Sequence, residues 1–313
     1  MAQKIVFLFP GQGSQFVGMG KTLVESYPAA KRRVEEANEA LGFDIGKLIA
    51  DGPEEDLRIT YNTQPAILLV SVIALEAFAE RTGLAPAAAA GHSLGEFSAC
   101  FAAGALSFVD AIRLVRKRGE LMQSAVPLGV GAMAAVIGLS AERVEDACRQ
   151  AGGDVAPANF NSPEQTVIAG AAGAVEKASI LAKEMGAKKV APLPVSAPFH
   201  TMLMLPAQRG LAEFMTGIKI NDPKFPIIRN VDAGLSSTAD QVRQGLIGQV
   251  TGCVRWVGSM ARLKEMGIAH GVEIGPGKVL TGLMKRIDRS FTMGTVGEVA
   301  DIENYIKGTD GKA

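Results

Sequence analysis

The sequence contains little cysteine, with 3 among 313 residues. Cys100, Cys148 and Cys253 are widely separated and form no CxxC pair. Zinc sites and disulfide frameworks need several cysteines at characteristic spacings, so neither is expected here. A low and odd number of cysteines is instead typical of a protein from a reducing compartment.

Charge of one sign is not in excess either. Lys+Arg and Asp+Glu both number 32, so the formal net charge is zero. Proteins that bind nucleic acid or a membrane surface commonly carry a basic excess or a basic stripe. The balance therefore predicts that the partners include neither nucleic acid nor a membrane.

Long apolar runs are absent as well. Residues 5–9 (IVFLF) are too few for the apolar core of a signal peptide, and Pro10 and Gly11 follow at once. Such a short run predicts a buried strand. No stretch reaches about 18 uncharged apolar residues, so we expect no transmembrane helix and a cytoplasmic protein.

What is present is an alternation of short apolar runs with longer helical stretches, which is typical of an α/β fold with a mainly parallel sheet. Strands are predicted at 4–9, 87–90, 225–231, 269–274 and 291–296. Helices are predicted at 28–41, 65–81, 94–103, 108–123, 238–249, 255–266 and 277–287. Pro28 and Pro65 are placed in the first turn of their helices, where proline is tolerated.

The middle of the chain has a different rhythm. Strands are predicted at 131–138, 155–160, 165–171 and 188–195, with helices at 140–151 and 173–186. This βαββαβ order is that of a ferredoxin-like domain. We therefore expect a small ferredoxin-like subdomain at 127–196, inserted into a large α/β domain made of 1–126 and 197–313.

The most specific local signal is GHSLG at residues 91–95, a G-x-S-x-G sequence between an apolar run and a helix. This is the context of a nucleophile elbow, and it makes the large domain α/β-hydrolase-like. The amide of Leu94, at the start of the helix, can then face a developing oxyanion. The alternative is that Ser93 is only a helix N-cap.

A base for Ser93 must come from three histidines. His92 adjoins the serine, and neighbouring side chains at a sharp turn tend to diverge. His270 begins an apolar strand. His200 follows a proline-rich loop, the kind of segment that often carries catalytic groups, so position favours it while leaving the other two open.

Arg118 is unusual for its place on the helix predicted at 108–123. The other charged residues of this segment share one polar face, whereas Arg118 falls beside apolar neighbours that include Met122. An arginine among apolar side chains is costly unless paired, and no acidic residue stands at positions 114, 115, 121 or 122 to pair it locally. Its partner is either a substrate carboxylate or a distant acid, unless the side chain snorkels to the surface.

The glycine-rich loop GQG at residues 11–13 follows a predicted strand, so a dinucleotide site must be weighed. The G-x-G-x-x-G fingerprint needs glycine at the place of Phe16. The sequence therefore disfavours a Rossmann site.

The chain carries three short segments in register, at residues 9–15 (FPGQGSQ), 91–96 (GHSLGE) and 198–200 (PFH). Together with the inserted small domain and the GPG turn at 275–277, they resemble the malonyl-CoA:acyl-carrier-protein transacylases of fatty acid synthesis. The likeness covers nearly the whole chain. It implies malonyl-CoA and an acyl carrier protein as partners, a coenzyme A thioester as substrate, and no metal or redox cofactor.

The resemblance also assigns roles to residues. Ser93 would be the acylated nucleophile and His200 its base. The backbone amides of Gln12 and Leu94 would form the oxyanion hole. The main-chain carbonyl of Gln249, rather than a carboxylate, would orient the imidazole.

One departure from the family lies beside that carbonyl. Cys253 stands where a proline is common in relatives, so the local loop is expected to differ. Arg118, in contrast, matches the family's carboxylate-binding arginine, which favours the substrate as its partner.

Further substrate-binding candidates are Met122, Asn161, Lys188 and Lys189. Relatives carry basic residues near the coenzyme A phosphates where the two lysines stand. Adjacent strand residues point to opposite faces, so at most one lysine is expected to face the cleft, and a solvated surface pair is the alternative. Asn159 and Asn161 can line the cleft or serve only as turn formers.

Two other functions use the same features. A serine hydrolase or thioesterase has the same elbow and could take His270 as its base. A carrier-protein docking module with a decayed site would keep the fold without the chemistry. Within the transferase hypothesis, the pathway served can be fatty acid or polyketide synthesis.

Overall fold

The computed structural model describes residues 4–127, 129–195 and 197–310, and within them two sheets form, one of six strands and one of four. The strands are β1 (Ile5–Phe9), β2 (Ala88–Gly91), β3 (Gly131–Ile137), β4 (Val155–Ser162), β5 (Gln165–Ala171), β6 (Lys189–Pro192), β7 (Ile227–Ile228), β8 (Leu235–Ser236), β9 (His270–Ile274) and β10 (Thr292–Val296). The helices are α1 (Lys21–Ser26), α2 (Pro28–Leu41), α3 (Ile45–Asp51), α4 (Glu54–Leu57), α5 (Thr60–Thr82), α6 (Gly95–Ala102), α7 (Phe108–Ser124), α8 (Ala141–Ala151), α9 (Ala172–Glu184), α10 (Leu205–Phe214), α11 (Ala239–Gly248), α12 (Trp256–Glu265), α13 (Val279–Ile287) and α14 (Val299–Asp310). Short 3-10 helices at Met202–Met204 and Met215–Gly217 flank α10.

The six-stranded sheet has the order β10-β9-β1-β2-β7-β8, and every pair is parallel except β7 with β8. Phe9 at the end of β1 lies opposite Gly91 at the end of β2. The loops that leave the carboxyl ends of neighbouring strands therefore meet at one edge, where open α/β sheets bind their ligands. The predicted α/β fold with a mainly parallel sheet is confirmed.

Strand β1 shows why a parallel strand is apolar throughout. Ile5, Phe7 and Phe9 pack into the core that contains α5 and α7, while Val6 and Leu8 pack against α12 and α13. Both faces of the strand are covered, as is usual for parallel sheets. Each of these side chains contributes about 1.5–3 kcal/mol through burial, so the strand anchors the loop that follows it.

Helix α5 is the apolar centre of the larger core. It is long and apolar enough to cross a membrane by length and composition, but 83% of that window is buried inside the protein. The sequence placed its start at Pro65, and this was wrong, because the helix begins at Thr60. Proline removes the hydrogen bond that the carbonyl of Tyr61 would accept, and Arg116 Nη1 donates to that carbonyl instead, at 3.2 Å.

The four-stranded sheet has the order β4-β5-β3-β6 and is antiparallel throughout. Its helices α8 and α9 bury an apolar cluster of their own against one face. Strand β4 joins this unit to the rest of the protein through Val254: Phe160 N donates to Val254 O at 2.9 Å, and Val254 N donates to Ala158 O at 2.8 Å.

Several predicted bounds were wrong. The strand expected at 225–231 is only Ile227–Ile228, and the strand expected at 188–195 is Lys189–Pro192. Helix α13 begins at Val279 rather than at 277. The sequence also missed elements with short or weak patterns, which are α1, α3, α4, β8, α10 and α14.

Candidate active site

Ser93 lies on a sharp turn between β2 and α6, with a φ of 51°. Residues other than glycine rarely adopt this left-handed backbone conformation. It is strained, and it is found mainly at functional sites. The flanking glycines are needed for close backbone contact. A Cβ on Gly91 would stand 1.9 Å from the carbonyl carbon of Gly95, and one on Gly95 would stand 2.1 Å from the oxygen of Phe9. The G-x-S-x-G sequence thus forms the elbow that it predicted.

Asn230, which sequence reasoning missed, fastens this elbow. Its Oδ1 accepts from Ser93 N at 2.7 Å, and its Nδ2 donates to Gly91 O at 2.6 Å. The residue follows β7, the neighbour of β2, and is buried. A single asparagine after a short strand carries no local signal, and only strand pairing brings it to the elbow.

His200 is the histidine that reaches Ser93, with Nε2 2.8 Å from Oγ across 107 positions of sequence. Its Nδ1 donates to the carbonyl of Gln249 at 2.7 Å and lies 3.1 Å from that of Gly252. Since a carbonyl only accepts, Nδ1 carries the proton and Nε2 is free to accept from the serine. His200 also has a positive φ, of 61°, so both members of the pair are held in strained backbone.

The environment keeps His200 neutral. Burial, together with the nearby charge of Arg118, lowers the pKa of His200 to about 3. The carbonyl contacts oppose this shift without cancelling it. At neutral pH the imidazole is therefore unprotonated, the state in which it can accept the serine proton.

The amides of Gln12 and Leu94 belong to the loops that leave β1 and β2. A Cβ on Gly11 would stand 2.3 Å from the oxygen of His92, so the first loop packs directly on the elbow. Among the hydrogen bonds of the described residues, neither the Gln12 nor the Leu94 amide has a protein acceptor. The Gln12 side chain donates to Thr60 Oγ1 at 3.3 Å.

Arg118 is buried beside the serine, with 2% of its surface exposed, so it does not snorkel. Its Nη2 donates to Ser93 Oγ at 3.0 Å and to Gln249 Oε1 at 2.8 Å, and its Nη1 donates to Gln64 Oε1 at 2.8 Å. Its Nε is buried and has no hydrogen-bond partner among the described residues. Burial lowers the pKa of this guanidinium to about 10, which leaves it charged at neutral pH. Among the described residues, its hydrogen-bond partners are two carboxamides and a hydroxyl, and a carboxylate in direct contact is not found.

Close packing of α5 on α7 brings Gln64 to Arg118. A Cβ on Gly119 would stand 2.5 Å from Tyr61 Cα, so only glycine permits this approach. Gln64 was missed by sequence reasoning. A glutamine within an apolar helix, directly before a proline, was the available signal.

Glu96 lies behind the guanidinium and was also missed. Its Oε2 accepts from Asn230 N at 3.0 Å and from Gln249 Nε2 at 3.1 Å. Burial raises the pKa of Glu96 to about 7, against these hydrogen bonds and the charge of Arg118. Gln249 therefore stands between the buried acid and the arginine, touching both.

Several of these side chains line one cavity of about 110 Å³. Its lining includes Gln12, Gln64, Ser93, Arg118, Met122, Asn159 and His200. Asn161 is not part of the lining, contrary to the prediction. Its Oδ1 instead lies 2.8 Å from Nε2 of His92, whose ring does line the cavity. His92 thus diverges from Ser93, as predicted, and ties the elbow to β4.

Lys188 and Lys189 lie at the opposite end of β6 from the residues that approach the cavity. Both are exposed, and Lys188 forms an ion pair with Glu164 at 3.5 Å. Leu193, which lines the cavity, is four residues beyond Lys189, or about 13 Å at the rise of a strand. The structure does not bring the lysines to Ser93.

His270 is remote from the elbow. It begins β9 and pairs with Ile5 at the amino end of β1, whereas Ser93 follows the carboxyl end of β2. Its Nε2 lies 3.0 Å from the hydroxyl of Tyr305. Over the described parts of the chain, groups of three or more His, Cys, Asp or Glu suited to a metal ion are not found.

Known proteins are similar to this chain in sequence and in fold. The acyl transferase domain family matches residues 6–307. The malonyl CoA-acyl carrier protein transacylase of Bacillus subtilis (strain 168) is 50% identical over 307 residues, which cover 97% of this chain and 96% of that protein. The enzyme of the same name from Escherichia coli (strain K12) is 46% identical over 297 residues, covering 94% and 96%.

Solved structures agree. An acyl carrier protein S-malonyltransferase from Vibrio cholerae superposes with a TM-score of 0.94 at 46% identity, covering 97% of this chain and all of that one (100%). A malonyl-transacylase in complex with a type II PKS acyl-carrier protein superposes with a TM-score of 0.95 at 44% identity, covering 98% and 100%. This chain therefore belongs to the acyl transferase family and, within it, to the malonyl CoA-acyl carrier protein transacylases.

Proposed function

We propose that this protein transfers the malonyl group of malonyl-CoA to the phosphopantetheine thiol of an acyl carrier protein and so supplies the extender unit for fatty acid synthesis. The observation that carries the proposal is that Ser93 Oγ lies 2.8 Å from His200 Nε2 and 3.0 Å from Arg118 Nη2 in one cavity. The names of the relatives support the same activity.

The first step forms an ester on Ser93. His200 Nε2 takes the proton of Oγ while Oγ attacks the thioester carbon, and the amides of Gln12 and Leu94 donate to the oxyanion. The bond between carbon and sulfur then breaks, and His200 returns the proton to the departing thiolate. Gln249 supports this exchange, because its carbonyl holds the proton on Nδ1 and stabilises the imidazolium.

The second step reverses the first with a new thiol. The phosphopantetheine thiol gives its proton to His200 and attacks the malonyl ester, and the oxyanion again lies at the two amides. The ester bond breaks, and Ser93 recovers its proton from His200. The two half-reactions make a ping-pong mechanism that is redox-neutral and needs no cofactor beyond the coenzyme A of the substrate.

Arg118 supplies the specificity for malonyl. A malonyl group differs from acetyl by a carboxylate, and a buried guanidinium with an unpartnered Nε offers that carboxylate a charge-assisted hydrogen bond. The cavity volume of about 110 Å³ is below the roughly 300–1,000 Å³ of pockets for larger ligands, which suits a short acyl group. Met122 lines the same space.

The rest of the thioester needs a second space. A cavity of about 540 Å³ shares Gln12, Leu193 and Val195 with the smaller one and also contains Arg58. We place the pantetheine arm of coenzyme A or of the carrier protein in it. Lys188 and Lys189 line neither cavity.

The division into domains belongs to the same proposal. Residues 1–126 and 197–313 would form an α/β-hydrolase-like catalytic domain, and 127–196 a ferredoxin-like subdomain that covers the cleft. The sheet order β4-β5-β3-β6, with a separate apolar cluster, supports this division. A cytoplasmic location is supported by the three cysteines, all of which are free.

The proposal is tested by intact-mass analysis after brief mixing with malonyl-CoA. A malonyl adduct is expected on the wild-type protein and not on Ser93→Ala. Adding carrier protein should then move the malonyl group to its phosphopantetheine. Release of free malonate at the same rate with and without carrier protein would instead identify a hydrolase.

Polyketide synthesis is the second candidate pathway, because a solved relative is bound to a type II PKS acyl-carrier protein. The two pathways share the chemistry and differ in the carrier. Transfer rates to fatty acid and polyketide carrier proteins, measured side by side at equal concentration, distinguish them.

A further inference from the structure

The hydroxyl of Ser93 is engaged on both sides. It donates to His200 Nε2 at 2.8 Å and accepts from Arg118 Nη2 at 3.0 Å. One of the two lone pairs of the hydroxyl oxygen is therefore directed at a cation. A hydrogen bond from a charged donor is stronger than a neutral one, so it holds this lone pair firmly.

The cation that holds the hydroxyl lacks a counter-ion in contact. Within the described chain, the hydrogen-bond acceptors of Arg118 are the neutral oxygens of Gln64, Gln249 and Ser93. The nearest acid in this network, Glu96, touches Gln249 rather than the guanidinium. Nε has no partner at all among the described residues. The guanidinium is thus a buried charge prepared for an anion that the protein does not supply.

We propose that Arg118 acts as a gate on Ser93, closed by its hydrogen bond to Oγ and opened by the carboxylate of the substrate. In binding the guanidinium, the carboxylate draws Nη2 away from Oγ and neutralises the charge beside the imidazole. The malonyl carboxylate is then an activator of the nucleophile as well as a recognition group. This inference rests on the proposed malonyl transfer and goes beyond it.

The charge of Arg118 also acts on the base. Transfer of the serine proton turns His200 into an imidazolium, which a neighbouring cation disfavours. The lowered pKa of His200, caused first by burial and then by Arg118, agrees with this. A carboxylate on the guanidinium offsets the second of these causes and so favours the imidazolium form of His200.

The gate gives a form of selectivity that affinity alone does not. An acetyl group can enter the same cavity, but it leaves Arg118 on Ser93 Oγ, so the bound thioester reacts slowly. Discrimination between malonyl and acetyl therefore falls on the rate of acylation more than on binding.

The test supplies the missing carboxylate separately. The rate of acetylation of Ser93 by acetyl-CoA is measured by rapid quench and intact mass, with increasing sodium formate or with sodium chloride at the same ionic strength. Formate is small enough to occupy the space left by the absent malonyl carboxylate. We expect formate to raise the rate about tenfold or more and to saturate, which corresponds to release of one charge-assisted hydrogen bond.

Two variants test whether the response to formate depends on Arg118. Arg118→Ala should acetylate faster than the wild type without formate and should not respond to it. Arg149→Ala, which removes an exposed guanidinium paired with Asp146 on α8, should respond like the wild type. The wild-type comparison of formate with chloride needs no variant, so it stands even if Arg118→Ala does not fold.

Two results would overturn the gate. One is formate that slows acetylation or leaves it unchanged in the wild type. The other is acceleration that persists in a folded Arg118→Ala. Malonylation of Ser93 by malonyl-CoA is followed in parallel, because its absence would contradict the proposed function, whereas its presence without a formate effect would contradict only the gate.

Discussion

At the scale of single residues, the site is a chain of hydrogen bonds in which each residue donates to the next. Gln249 O accepts from His200, His200 accepts from Ser93, and Ser93 accepts from Arg118. Each partner limits the tautomer or rotamer of the next, so the proton that must move is already on the correct atom. The same residues decide what replacing any one of them does.

Replacement of Arg118 by alanine should separate malonyl from acetyl transfer. Loss of a buried partner for a carboxylate costs about 2–5 kcal/mol, so kcat/KM for malonyl-CoA should fall about 30-fold or more. Acetyl transfer should be retained or rise. Steady-state kinetics with both thioesters checks this, and unchanged preference for malonyl in the variant would remove Arg118 from the mechanism.

The pH dependence should reflect the neutral His200. Its pKa is lowered to about 3, and the base works when unprotonated, so protonation of His200 should cause no loss of kcat/KM for acylation as the pH falls from 8 to 5. An ordinary histidine would lose activity near its unperturbed pKa of about 6.5. Glu96 also titrates close to this value, with a pKa of about 7. A protonation near pH 6.5 that persists in Glu96→Gln would therefore contradict the environment described for His200.

The same pKa has a consequence for stability. The folded pKa lies below the unfolded value, so the unfolded chain binds more protons between them. Stability contributed by neutral His200 is therefore fully present above about pH 6.5 and is lost as the pH falls below that value.

At the scale of secondary-structure elements, the contact of α5 with α7 sets the position of the guanidinium. Gly119 stands next to Arg118 on α7, and Gln64 stands next to Pro65 on α5. The small residue and the proline both act on the spacing of these helices, the first by close approach and the second by freeing the carbonyl of Tyr61 for Arg116. The packing of α5 on α7 thereby sets the position at which the guanidinium can meet a substrate.

Gly119→Ala should therefore impair malonyl transfer without touching a reacting atom. Its Cβ would meet Tyr61 Cα at 2.5 Å, and such overpacking costs about 1–3 kcal/mol of stability. As α5 moves away, Gln64 loses Arg118, and kcat/KM for malonyl-CoA should fall more than that for acetyl-CoA. Thermal unfolding and kinetics measure the two effects.

The control is Gly282→Ala in the exposed part of α13, where an added Cβ meets no atom within 4 Å. Removing an interior glycine from a helix should stabilise it by about 0.5–1 kcal/mol, with kinetics unchanged. Equal behaviour of the two alanine variants would show that the helix spacing does not matter.

At the scale of the whole molecule, two sheets meet at the site. One face of the antiparallel sheet packs into the same core as β1 and α5, and its other face has a cluster of its own. The elbow belongs to the parallel sheet, while Asn159 and Met133 reach the cavity from the antiparallel one. The joint between them includes the bridge of β4 with Val254 and the bond of Asn161 to His92. The cavity therefore has this lining only when both sheets are in place.

Asn161→Ala should loosen this joint. It leaves Nε2 of the half-buried His92 without its partner, which costs about 1 kcal/mol, and it lets β4 shift relative to Ser93. Both the melting temperature and kcat/KM should fall, whereas Asn221→Ala, at an exposed asparagine bonded to Gly104 O, should change neither. An Asn161 variant with full activity and stability would show that His92 is not the tie between the sheets.

The sequence by itself determined the elements that depend on neighbours along the chain. IVFLF predicts a strand covered on both faces, GHSLG predicts the elbow, and a change of rhythm predicts the antiparallel sheet with its two helices. In each case the periodicity or the turn chemistry lies within a few residues. The pairing of Ser93 with His200 was predicted from only three histidines and a family resemblance, and the distance between them agrees with it.

Only the tertiary structure decided which distant groups meet. No pattern near Arg118 in sequence predicts that its partners are the carboxamides of Gln64 and Gln249. No pattern near Asn230 predicts that this residue holds the elbow in place. Strand β2, three alanines and a glycine, has weak strand propensity and is formed because β1 and β7 pair with it on both sides. These outcomes depend on packing between segments far apart in the chain, where local preferences carry no information.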